Sequence, residues 1–588
     1  MFSTSWQVSP RVHAVRSDFN VMIPMSDGVE VAAQIFRPDA PGRFPALVGV
    51  HAYDAAMQYS PSRPQAVQGR NAQAEAGDPQ FYVRRGYAHV IVNARGTGQS
   101  GGEYGHYSPR EVQDVVEVIA WIAAQDWCDG NVGMFGVSYF AVCAKQVAAQ
   151  NPPALKAVFA PYGYTDFYRD KFYHGGILAH SFLTNWSKHL AGVRVRGWSQ
   201  AGLGEEEYNR RLAALRRNRD ILAVPELASA IAAPDKGANP LILDVLLNPQ
   251  DGPYWQERNP CLEDIRVPIL IGSSWDMYFL HLPGEFRAWE KITAPKKMIV
   301  GPPIYLDRPL YQYAFESLRW FDHWLKGNDT GYLDEPDIRL FVNGGDGRWK
   351  TSAAWPRPET VWHPFYLHGG GLLSEHEHWP HEGGTSYEDN TYNARGGAAF
   401  ATPPMVERTE VIGPLTATVY VSTNQPEVLL FASLWDIAPD GASRLLTRGW
   451  LKGSLCRINP ETSRPWLWQY DFTDPQPVDT GAPQRFDINL VPTANIFQKG
   501  HRIGLRISSS DQDPADTLFD MLGQGHLLQL QPSWITVHHD AEHPSVLHVP
   551  ITDGNRIGTY MSGGIGANRK PGAAAPQTAN STSWDEWR

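Results

Sequence analysis

Short apolar runs separated by an amphipathic stretch mark the first quarter of the chain. The runs occupy residues 44–50, 88–92, 132–135 and 155–160. Between the second and third of them, the apolar side chains of residues 111–125 recur at spacings of three and four, which predicts a helix. Apolar runs of this length, joined by helices, are typical of parallel strands with crossover connections. We therefore predict that residues 1–161 form the first part of a mainly parallel α/β sheet.

The strand pattern stops after residue 161 and returns at residue 267. Residues 162–260 show helical periodicity without clear strand signals, so we predict that a helical cap is inserted there. Apolar strand runs reappear at residues 267–272 and 297–301. They indicate that the same sheet resumes over residues 261–335.

From residue 336 onward, apolar and polar positions alternate with a period of two. The alternating segments lie at residues 415–421, 427–434, 486–490 and 501–508. Many short strands without intervening helices indicate a β-sandwich, which we place with its linker in residues 336–562. The last residues, 563–588, are rich in Gly, Ala, Pro, Ser and Asn and are predicted to form a flexible tail.

Composition and charge narrow the class of function. The 588 residues are 42% hydrophobic and 19% charged, as in an ordinary globular enzyme with more than one core. The net charge is −11 and no long basic run occurs, so we expect no nucleic-acid partner. The chain has neither a run of 18 apolar residues nor a basic, apolar leader. We therefore expect no membrane partner and a cytoplasmic location.

Cysteine and histidine positions suggest neither a cofactor nor a metal. The four cysteines are scattered without a C-x-x-C pair, so no disulfide framework or zinc ribbon is expected. Histidines are frequent in residues 362–381, but we interpret this stretch as a solvated linker rather than a metal site. A small-molecule substrate is the partner that we expect.

One short segment carries the strongest catalytic signal. Residues 133–139, GMFGVSY, run from a predicted strand into a predicted helix. Ser138 on that turn is a candidate nucleophile, because a tight strand-to-helix turn exposes the hydroxyl above the sheet. The next backbone N–H, that of Tyr139, would then donate to the oxyanion. The alternative is an ordinary serine cap of the helix, and Phe140 stands where such motifs usually have glycine.

Several segments, taken in order, resemble the cocaine esterase/NonD (X-Pro dipeptidyl-peptidase-like) hydrolases. They are ARGTGQSGG at 94–102, WIAAQDWCDGNVG at 121–133, FYHGG at 172–176, FDHWLKG at 321–327 and FQKGHRI at 497–503. The resemblance covers nearly all of residues 20–550. It implies an α/β-hydrolase fold with an inserted helical cap and a C-terminal β jelly-roll domain, a fold class that agrees with the periodicity. It also implies that a homodimer is common for this architecture.

The resemblance assigns roles to two further residues. The catalytic acid of the family follows a strand in a Trp-x-Asp context, and Asp276 stands there in ILIGSSWDMY, residues 269–278. The oxyanion tyrosine of the family follows an early strand, and Tyr53 matches it in VHAYD, residues 50–54. A phenol at that place donates a hydrogen bond to the tetrahedral oxyanion alongside the Tyr139 N–H. A helix-capping acid and a core tyrosine are the ordinary alternatives.

The match fails at the catalytic histidine. The family pattern Gly-Pro-Trp-x-His reads here as GPPIY at 301–305, so Tyr305 occupies the position of the base. An unperturbed tyrosine has a pKa near 10, and only about one molecule in a thousand is phenolate at pH 7. A histidine from another segment is an alternative base, and the candidates are His51, His174, His180 and His281.

Three hypotheses remain open at this stage. The first is a serine hydrolase of esters or amides with a non-standard base. The second is a non-hydrolytic enzyme, such as a cyclase, acyl transferase, carbon–carbon lyase or isomerase, that uses Ser138, Tyr305 and Asp276 in proton transfer. The third is a catalytically dead binding protein, which the retention of Ser138, Asp276 and Tyr53 argues against.

Aromatic residues are unusually frequent, with 21 Trp and an aromatic share of 12%. We interpret part of this excess as the lining of a pocket under the cap. The pocket would favour a bulky, apolar or aromatic acyl group. The candidates for substrate contact are His51, Phe140, Tyr162, Phe172, Trp186 and Tyr278.

Overall fold

Within the described part of the chain, ten strands pair into one mixed sheet, in agreement with the predicted α/β fold. Their order is β1-β2-β4-β3-β5-β6-β9-β10-β11-β12, and β7 and β8 pair separately as a short ribbon. The bounds are β1 (Val15–Pro24), β2 (Glu30–Pro38), β3 (Phe44–His51), β4 (Ala88–Asn93), β5 (Cys128–Phe135), β6 (Leu155–Phe159), β7 (Tyr173–His174), β8 (Ile177–Leu178), β9 (Ile269–Ser274), β10 (Lys296–Gly301), β11 (Ile338–Val342) and β12 (Arg348–Ser352). Neighbours from β4 to β11 pair parallel, whereas β1, β2 and β4 pair antiparallel.

Thirteen α-helices are found in the part of the chain that the computed structural model describes. The described residues are 8–59, 75–190, 192–302, 313–377, 382–390, 396–511 and 525–554. The helices are α1 (Ala56–Tyr59), α2 (Pro79–Val83), α3 (Pro109–Ala123), α4 (Tyr139–Ala148), α5 (His180–Lys188), α6 (Ser199–Leu203), α7 (Glu205–Leu215), α8 (Arg219–Leu222), α9 (Pro225–Ala232), α10 (Asn239–Leu247), α11 (Pro253–Gln256), α12 (Leu282–Lys291) and α13 (Tyr313–Lys326). Seven of them, α5 to α11, form the predicted helical insertion between β6 and β9. None of the described helices is both long enough and apolar enough to span a membrane.

Helix α3 is the amphipathic segment that the sequence pattern predicts. It starts with a capping box, in which Ser108 Oγ accepts from the Glu111 N–H and the Glu111 carboxylate accepts from the Ser108 N–H. Its apolar residues Val115, Val118, Ile119 and Ile122 are buried. The spacing of three and four therefore places one face of this helix in the core.

The described chain divides into two units. The first contains residues up to 171, 183–340 and 349–353, and the second contains residues 172–182, 341–348 and those from 354 onward. The α/β sheet extends past residue 335, because β11 pairs parallel with β10. Residues 172–182, which the sequence analysis places in the cap, belong to the second unit. The predicted tail, residues 563–588, lies outside the described residues.

The described residues of the second unit contain an eleven-stranded sheet that closes on itself. Its order is β15-β22-β17-β20-β19-β18-β21-β16-β14-β13-β23, and β17 also pairs with β23. The bounds are β13 (Val361–His368), β14 (Leu372–Ser374), β15 (Gly384–Asp389), β16 (Gly397–Ala401), β17 (Thr409–Thr423), β18 (Leu429–Ile437), β19 (Ser443–Lys452), β20 (Gln484–Phe497), β21 (Arg502–Ser508), β22 (Ser533–His538) and β23 (Val546–Asp553). This all-β architecture agrees with the predicted C-terminal β domain.

The interpretation of the histidine-rich stretch as a solvated linker is wrong for its first half. Residues Val361–His368 form β13, which pairs antiparallel with β23 along six positions. His363 and His368 are buried there. His368 lies between the Glu382 carboxylate and the His376 carbonyl oxygen, so buried hydrogen bonds replace solvent around its ring. Polar histidines and a proline hid the strand pattern in this segment.

Candidate active site

The carboxyl ends of neighbouring parallel strands lie along one edge of the first unit's sheet. The strands β3, β5, β6, β9 and β10 are neighbours in that order. His51 ends β3, whereas Ser138 follows β5, Tyr162 follows β6 and Asp276 follows β9. Tyr305 comes after β10 in the chain and lies outside the described residues. Ligands of α/β sheets bind beyond the carboxyl ends of the strands, so this edge is the candidate active site.

Ser138 has a strained backbone at the start of α4. Its φ is 57° and its ψ is −116°, a combination that costs a non-glycine residue about 1–3 kcal/mol. The side chain makes no capping hydrogen bond to the described residues of α4, which argues against an ordinary helix cap. Tyr139 is the first residue of α4, so its N–H has no acceptor within the helix. The turn thus has the geometry of a nucleophile elbow.

Phe140 occupies the position where such elbows usually have glycine, and other glycines make room for it. Its ring packs nearly parallel to the His51 ring, with 5.4 Å between centroids. A Cβ on Gly49 would lie 2.5 Å from the Phe140 ring, and a Cβ on Gly136 would collide with the Phe140 Cβ. Phe140 is fully buried. The prediction that it lines the substrate pocket is therefore wrong, because its ring fills the core below the elbow.

His51 orients Tyr53 and is unsuited to act as a base. The Tyr53 N–H donates to His51 Nδ1 at 3.1 Å, so the ring proton is on Nε2. Burial lowers the pKa of His51 to about 3, and the ring therefore stays neutral at physiological pH. A neutral ring with its lone pair already engaged has no site to accept the serine proton.

Trp186 and Tyr139 hold the Tyr53 side chain. The indole N–H of Trp186 donates to the Tyr53 phenol oxygen at 3.1 Å. The Tyr53 and Tyr139 rings meet edge to face, with 5.7 Å between centroids. The oxyanion candidate is therefore tied both to the elbow and to the inserted helical region through α5.

The Lys171 ammonium group lies against the Trp186 ring. It is surrounded by an aromatic cage formed by Tyr107, Tyr164, Phe167 and Trp186. Lys171 Nζ is 3.9 Å from the Trp186 ring centroid and between 5.1 and 5.6 Å from the other three. The Tyr107 ring stacks on the Tyr139 ring at 4.1 Å, which connects the cage to the elbow. Such contacts of a cation with ring faces are favourable, most of all away from water.

Two neighbouring basic groups, Lys171 in the cage and His106 beside it, both have lowered pKa values. Burial lowers the pKa of Lys171 well below its ordinary value, and the charge of Arg258 lowers it further. His106 Nε2 lies 3.0 Å from Lys171 Nζ. Burial, followed by the charges of Lys171 and Arg258, lowers the His106 pKa well below its usual range. At neutral pH, His106 is therefore neutral, and its Nε2 accepts a hydrogen bond from Lys171 Nζ.

Asp276 belongs to a hydrogen-bonded chain at the end of β9. The Ser274 hydroxyl donates to Asp276 Oδ1, and the Tyr162 hydroxyl donates to Ser274 Oγ at 2.9 Å. Tyr162 has a φ of 59°, a further strained residue at this edge. The His281 ring is buried and packs edge to face on Tyr162 at 5.9 Å. Asp276 itself is partly exposed.

A buried ion pair fixes the nucleophile helix. Lys145 on α4 donates to Glu285 on α12 at 2.8 Å, and the Gly163 N–H donates to the same carboxylate at 2.6 Å. Both side chains are fully buried. Burial raises the pKa of Glu285 to about 7, although the Lys145 charge opposes this shift. Breaking such a pair on one side is costly, so the pair holds α4 against α12 and the segment after β6.

Two protein-family models match this chain and identify its family. A model described as X-Pro dipeptidyl-peptidase (S15 family) matches residues 27–304. A model described as X-Pro dipeptidyl-peptidase C-terminal non-catalytic domain matches residues 330–548. The chain belongs to the CocE/NonD, X-Pro dipeptidyl-peptidase-like family. Members of this family are hydrolases, and so is this protein.

Individual relatives span most of this CocE/NonD chain. Cocaine esterase from Rhodococcus sp. (strain MB1 Bresler) is 28% identical, over 90% of this chain and 98% of that protein. A putative Xaa-Pro dipeptidyl-peptidase from Bacillus anthracis is 21% identical, over 74% of this chain and 70% of that protein. The crystal structure of a CocE/NonD family hydrolase from Staphylococcus aureus has a TM-score of 0.75 at 22% identity, covering 94% of this chain and 99% of the other.

The remaining predicted contact residues of this CocE/NonD protein are Phe172 and Tyr278. Phe172, with His174 and His180, belongs to the second unit. Tyr278 is buried, and its ring packs edge to face on Phe279 at 6.0 Å. Below α4, a cavity of about 20 Å³ is lined by residues that include Tyr139. It has room for one water molecule rather than an ester.

The cage around Lys171 was not predicted from the sequence. His106 and Tyr107 follow one another with φ values of 58° and 60°, a strained pair that sequence alone does not reveal. Lys171 lies in YRDKF, which has the appearance of a solvated charged segment. In the structure, this segment is a π-helix, Phe167–Phe172. Short π-helical turns are frequent at functional sites, and this one turns Lys171 inward.

Proposed function

We propose that the protein hydrolyses carboxylic esters through an acyl-enzyme on Ser138. The observation that carries this proposal is the strained Ser138 elbow, with the Tyr139 N–H at the start of α4. Ser138 Oγ attacks the ester carbonyl carbon, and the carbonyl oxygen becomes an oxyanion. The alcohol leaves with a proton, and water then hydrolyses the acyl group from Ser138.

Tyr53 and the Tyr139 N–H are the proposed oxyanion donors. The Tyr53 oxygen accepts from Trp186, so its own O–H proton serves as the donor to another group. We assign the oxyanion as that group. Donors of this kind act without reorganisation when they are held in place before the reaction, and the loss of one costs about 10²- to 10³-fold in kcat.

Asp276 and a residue in the segment after β10 are proposed to take part in transfer of the Ser138 hydroxyl proton. Asp276 is positioned by Ser274 and Tyr162. Tyr305, in the histidine position of the family pattern, is the base in this proposal. His281 is the alternative, since its ring packs on the same Tyr162. His51 is left out because its Nδ1 is engaged and its pKa is low.

The proposed substrate is an ester with a bulky, apolar or aromatic acyl group, rather than an Xaa-Pro peptide. This chain spans 98% of the cocaine esterase that it resembles, but 70% of the Xaa-Pro dipeptidyl-peptidase. The Tyr139 ring and the Trp186 indole contact the Tyr53 side chain, and these aromatic neighbours favour an aromatic acyl group.

A panel of substrates tests this proposal. The protein is assayed with aryl esters of benzoic and acetic acid and with an Xaa-Pro p-nitroanilide, beside the Ser138→Ala variant. We expect benzoyl esters to be hydrolysed with the higher kcat/KM, and at least a 10³-fold loss in Ser138→Ala. Cleavage of the Xaa-Pro anilide without ester hydrolysis would contradict the proposed substrate class.

A non-hydrolytic reaction is the second candidate function. The observation in its favour is the sequence GPPIY at 301–305, which replaces the base of a hydrolytic triad by Tyr305. In that case, Ser138, Tyr305 and Asp276 would transfer protons without a covalent intermediate. Turnover of the true substrate with no acyl-enzyme detectable by mass would favour this candidate.

A further inference from the structure

The loop that joins β22 to β23 brings two histidines and one aspartate together. His538 is the last residue of β22, and Asp540 and His543 lie in the loop. One ring nitrogen of each histidine and a carboxylate oxygen of Asp540 all lie within 4.8 Å of one another. The three side chains are between 19% and 27% exposed, so an ion has access from solvent.

The spacing of these atoms suits a small tetrahedral cation. His543 Nδ1 is 2.9 Å from Asp540 Oδ1 and 3.2 Å from Oδ2. His538 Nδ1 is 4.0 Å from Asp540 Oδ2. Zinc bonds of about 2.0–2.1 Å place neighbouring tetrahedral ligands roughly 3.3 Å apart, which lies within this range. A small rotation of the His538 ring therefore completes a three-ligand site.

Neighbouring groups orient the ligand atoms. Ser422 Oγ lies 2.8 Å from His538 Nε2, and when it accepts the Nε2 proton the Nδ1 lone pair faces Asp540. The backbone N–H groups of Glu542 and His543 donate to Asp540 Oδ1 at 2.9 and 3.0 Å. These bonds fix the carboxylate before any ion arrives.

A second imidazole, that of His538, and its hydrogen-bonding partner Ser422 distinguish this arrangement from a simple His–Asp pair. His543 and Asp540 alone would form an ordinary hydrogen-bonded pair, with Nδ1–H as the donor. His538 adds a second imidazole, whose Nδ1 turns toward the same carboxylate and whose other nitrogen is held by Ser422. The two rings lie 5.5 Å apart between centroids. Two imidazoles and one carboxylate, with a hydrogen-bonded outer partner, are a typical ligand set for zinc-class cations.

We propose that His538, Asp540 and His543 bind a divalent transition-metal cation of the zinc class. Two imidazole nitrogens and one carboxylate oxygen bind the ion, and water fills the remaining position. His543 binds the ion as a neutral imidazole, with its Nδ1 lone pair on the ion and its ring proton on Nε2. The ion ties the loop of residues 539–545 to the end of β22, and this role is independent of ester hydrolysis.

Zinc titration of the metal-stripped, full-length protein tests the site. Competition with a chromophoric chelator gives the affinity and stoichiometry, and the absorption spectrum of added Co²⁺ gives the geometry. We expect one tight equivalent in the wild type. Loss of a group that only hydrogen-bonds a metal ligand typically weakens metal binding about 10- to 100-fold. His538→Ala and His543→Ala each remove a proposed ligand itself, so each should weaken zinc binding at least tenfold. Ser422→Ala should weaken it about tenfold.

The matched control is His501→Ala, which removes a His–Asp pair of the same unit. His501 Nδ1 lies 2.7 Å from Asp436 Oδ1. We expect this variant to keep the tight equivalent. Circular dichroism of each variant verifies that the fold is intact. The proposal is overturned if the His538→Ala/His543→Ala double variant binds zinc as tightly as the wild type, or if the wild type binds no tight equivalent.

Discussion

The Trp186 indole N–H donates to the Tyr53 phenol oxygen at 3.1 Å, across 133 positions of sequence. Trp186 lies on α5 in the helical insertion, whereas Tyr53 follows β3 of the sheet. The insertion therefore positions a proposed oxyanion donor through one hydrogen bond. Trp186 is a positioning residue in this account, since it acts on the oxyanion through Tyr53.

Replacing this indole tests its positioning role. We expect Trp186→Phe to lower kcat about tenfold with KM changed less than about twofold, because the Tyr53–oxyanion bond is made only in the transition state. Tyr53→Phe should cost about 10²- to 10³-fold. The double variant should be no worse than Tyr53→Phe alone, since both changes remove the same donor.

Trp255→Phe is the matched control. The Trp255 N–H is also buried and donates to a carbonyl oxygen, that of Asn248, at 2.9 Å. Its loss should leave kcat within about twofold. Strictly additive losses in the Trp186/Tyr53 double variant would show that Trp186 acts by another route.

Substitutions at Tyr305 identify the proton acceptor. A general base contributes about 10²- to 10⁴-fold, so we expect Tyr305→Phe to lower kcat by that factor, while His281→Gln has a smaller effect. Tyr305→His should keep ester hydrolysis, with a pH–rate inflection near the pKa of histidine. The measurement is the pH dependence of kcat/KM for each variant.

Two results would speak against the Tyr305 assignment. Full activity in Tyr305→Phe would show that the Tyr305 hydroxyl takes no part in catalysis. If His281→Gln is then inactive, His281 is the base. Esterase activity that appears only in Tyr305→His, and not in the wild type, would indicate that ester hydrolysis is not the native reaction.

The buried Glu111 carboxyl group should make stability depend on pH. Burial raises the Glu111 pKa to about 7, although hydrogen bonds from Ser108 oppose the shift. The folded state therefore holds this proton up to higher pH than the unfolded chain. The wild type loses stability as pH rises from 5 to 8, by about 2–3 kcal/mol from this group. Glu111→Gln keeps an acceptor for the Ser108 N–H and should lack that loss.

Unfolding by urea at pH 5 and pH 8 measures this difference. Glu117→Gln on the same helix is the control. Burial raises the Glu117 pKa, but hydrogen bonds from Ser26 and Arg110 outweigh burial and leave the pKa below its ordinary value. Its carboxylate is largely ionised in both states from pH 5 to 8, so the wild type and this variant should differ by nearly the same amount at the two pH values. A pH-independent difference for Glu111→Gln would contradict the account.

Local patterns predicted the fold because each depends on near neighbours in the chain. The periodicity of residues 111–125 gave α3, and apolar runs gave the parallel strands that place Ser138 and Asp276 at one sheet edge. Pairing of β17 with β23 joins residues more than a hundred positions apart, and no local pattern specifies it.

The candidate site was predicted in part. The glycines around Ser138 made the elbow visible in the sequence. The cage was not, because Lys171 meets His106 and Trp186 only after folding, and a lysine in a charged segment is usually solvated. Phe140 was misassigned for a similar reason, since the space for its ring is made by Gly49 on a different strand.

A fluorophosphonate adduct measured by intact mass and peptide mapping tests the nucleophile most directly. The account predicts one adduct in the wild type, located on Ser138, and none in Ser138→Ala. An equal adduct in Ser138→Ala, or none in a wild-type protein that turns over esters, would contradict the assignment of Ser138 as the nucleophile.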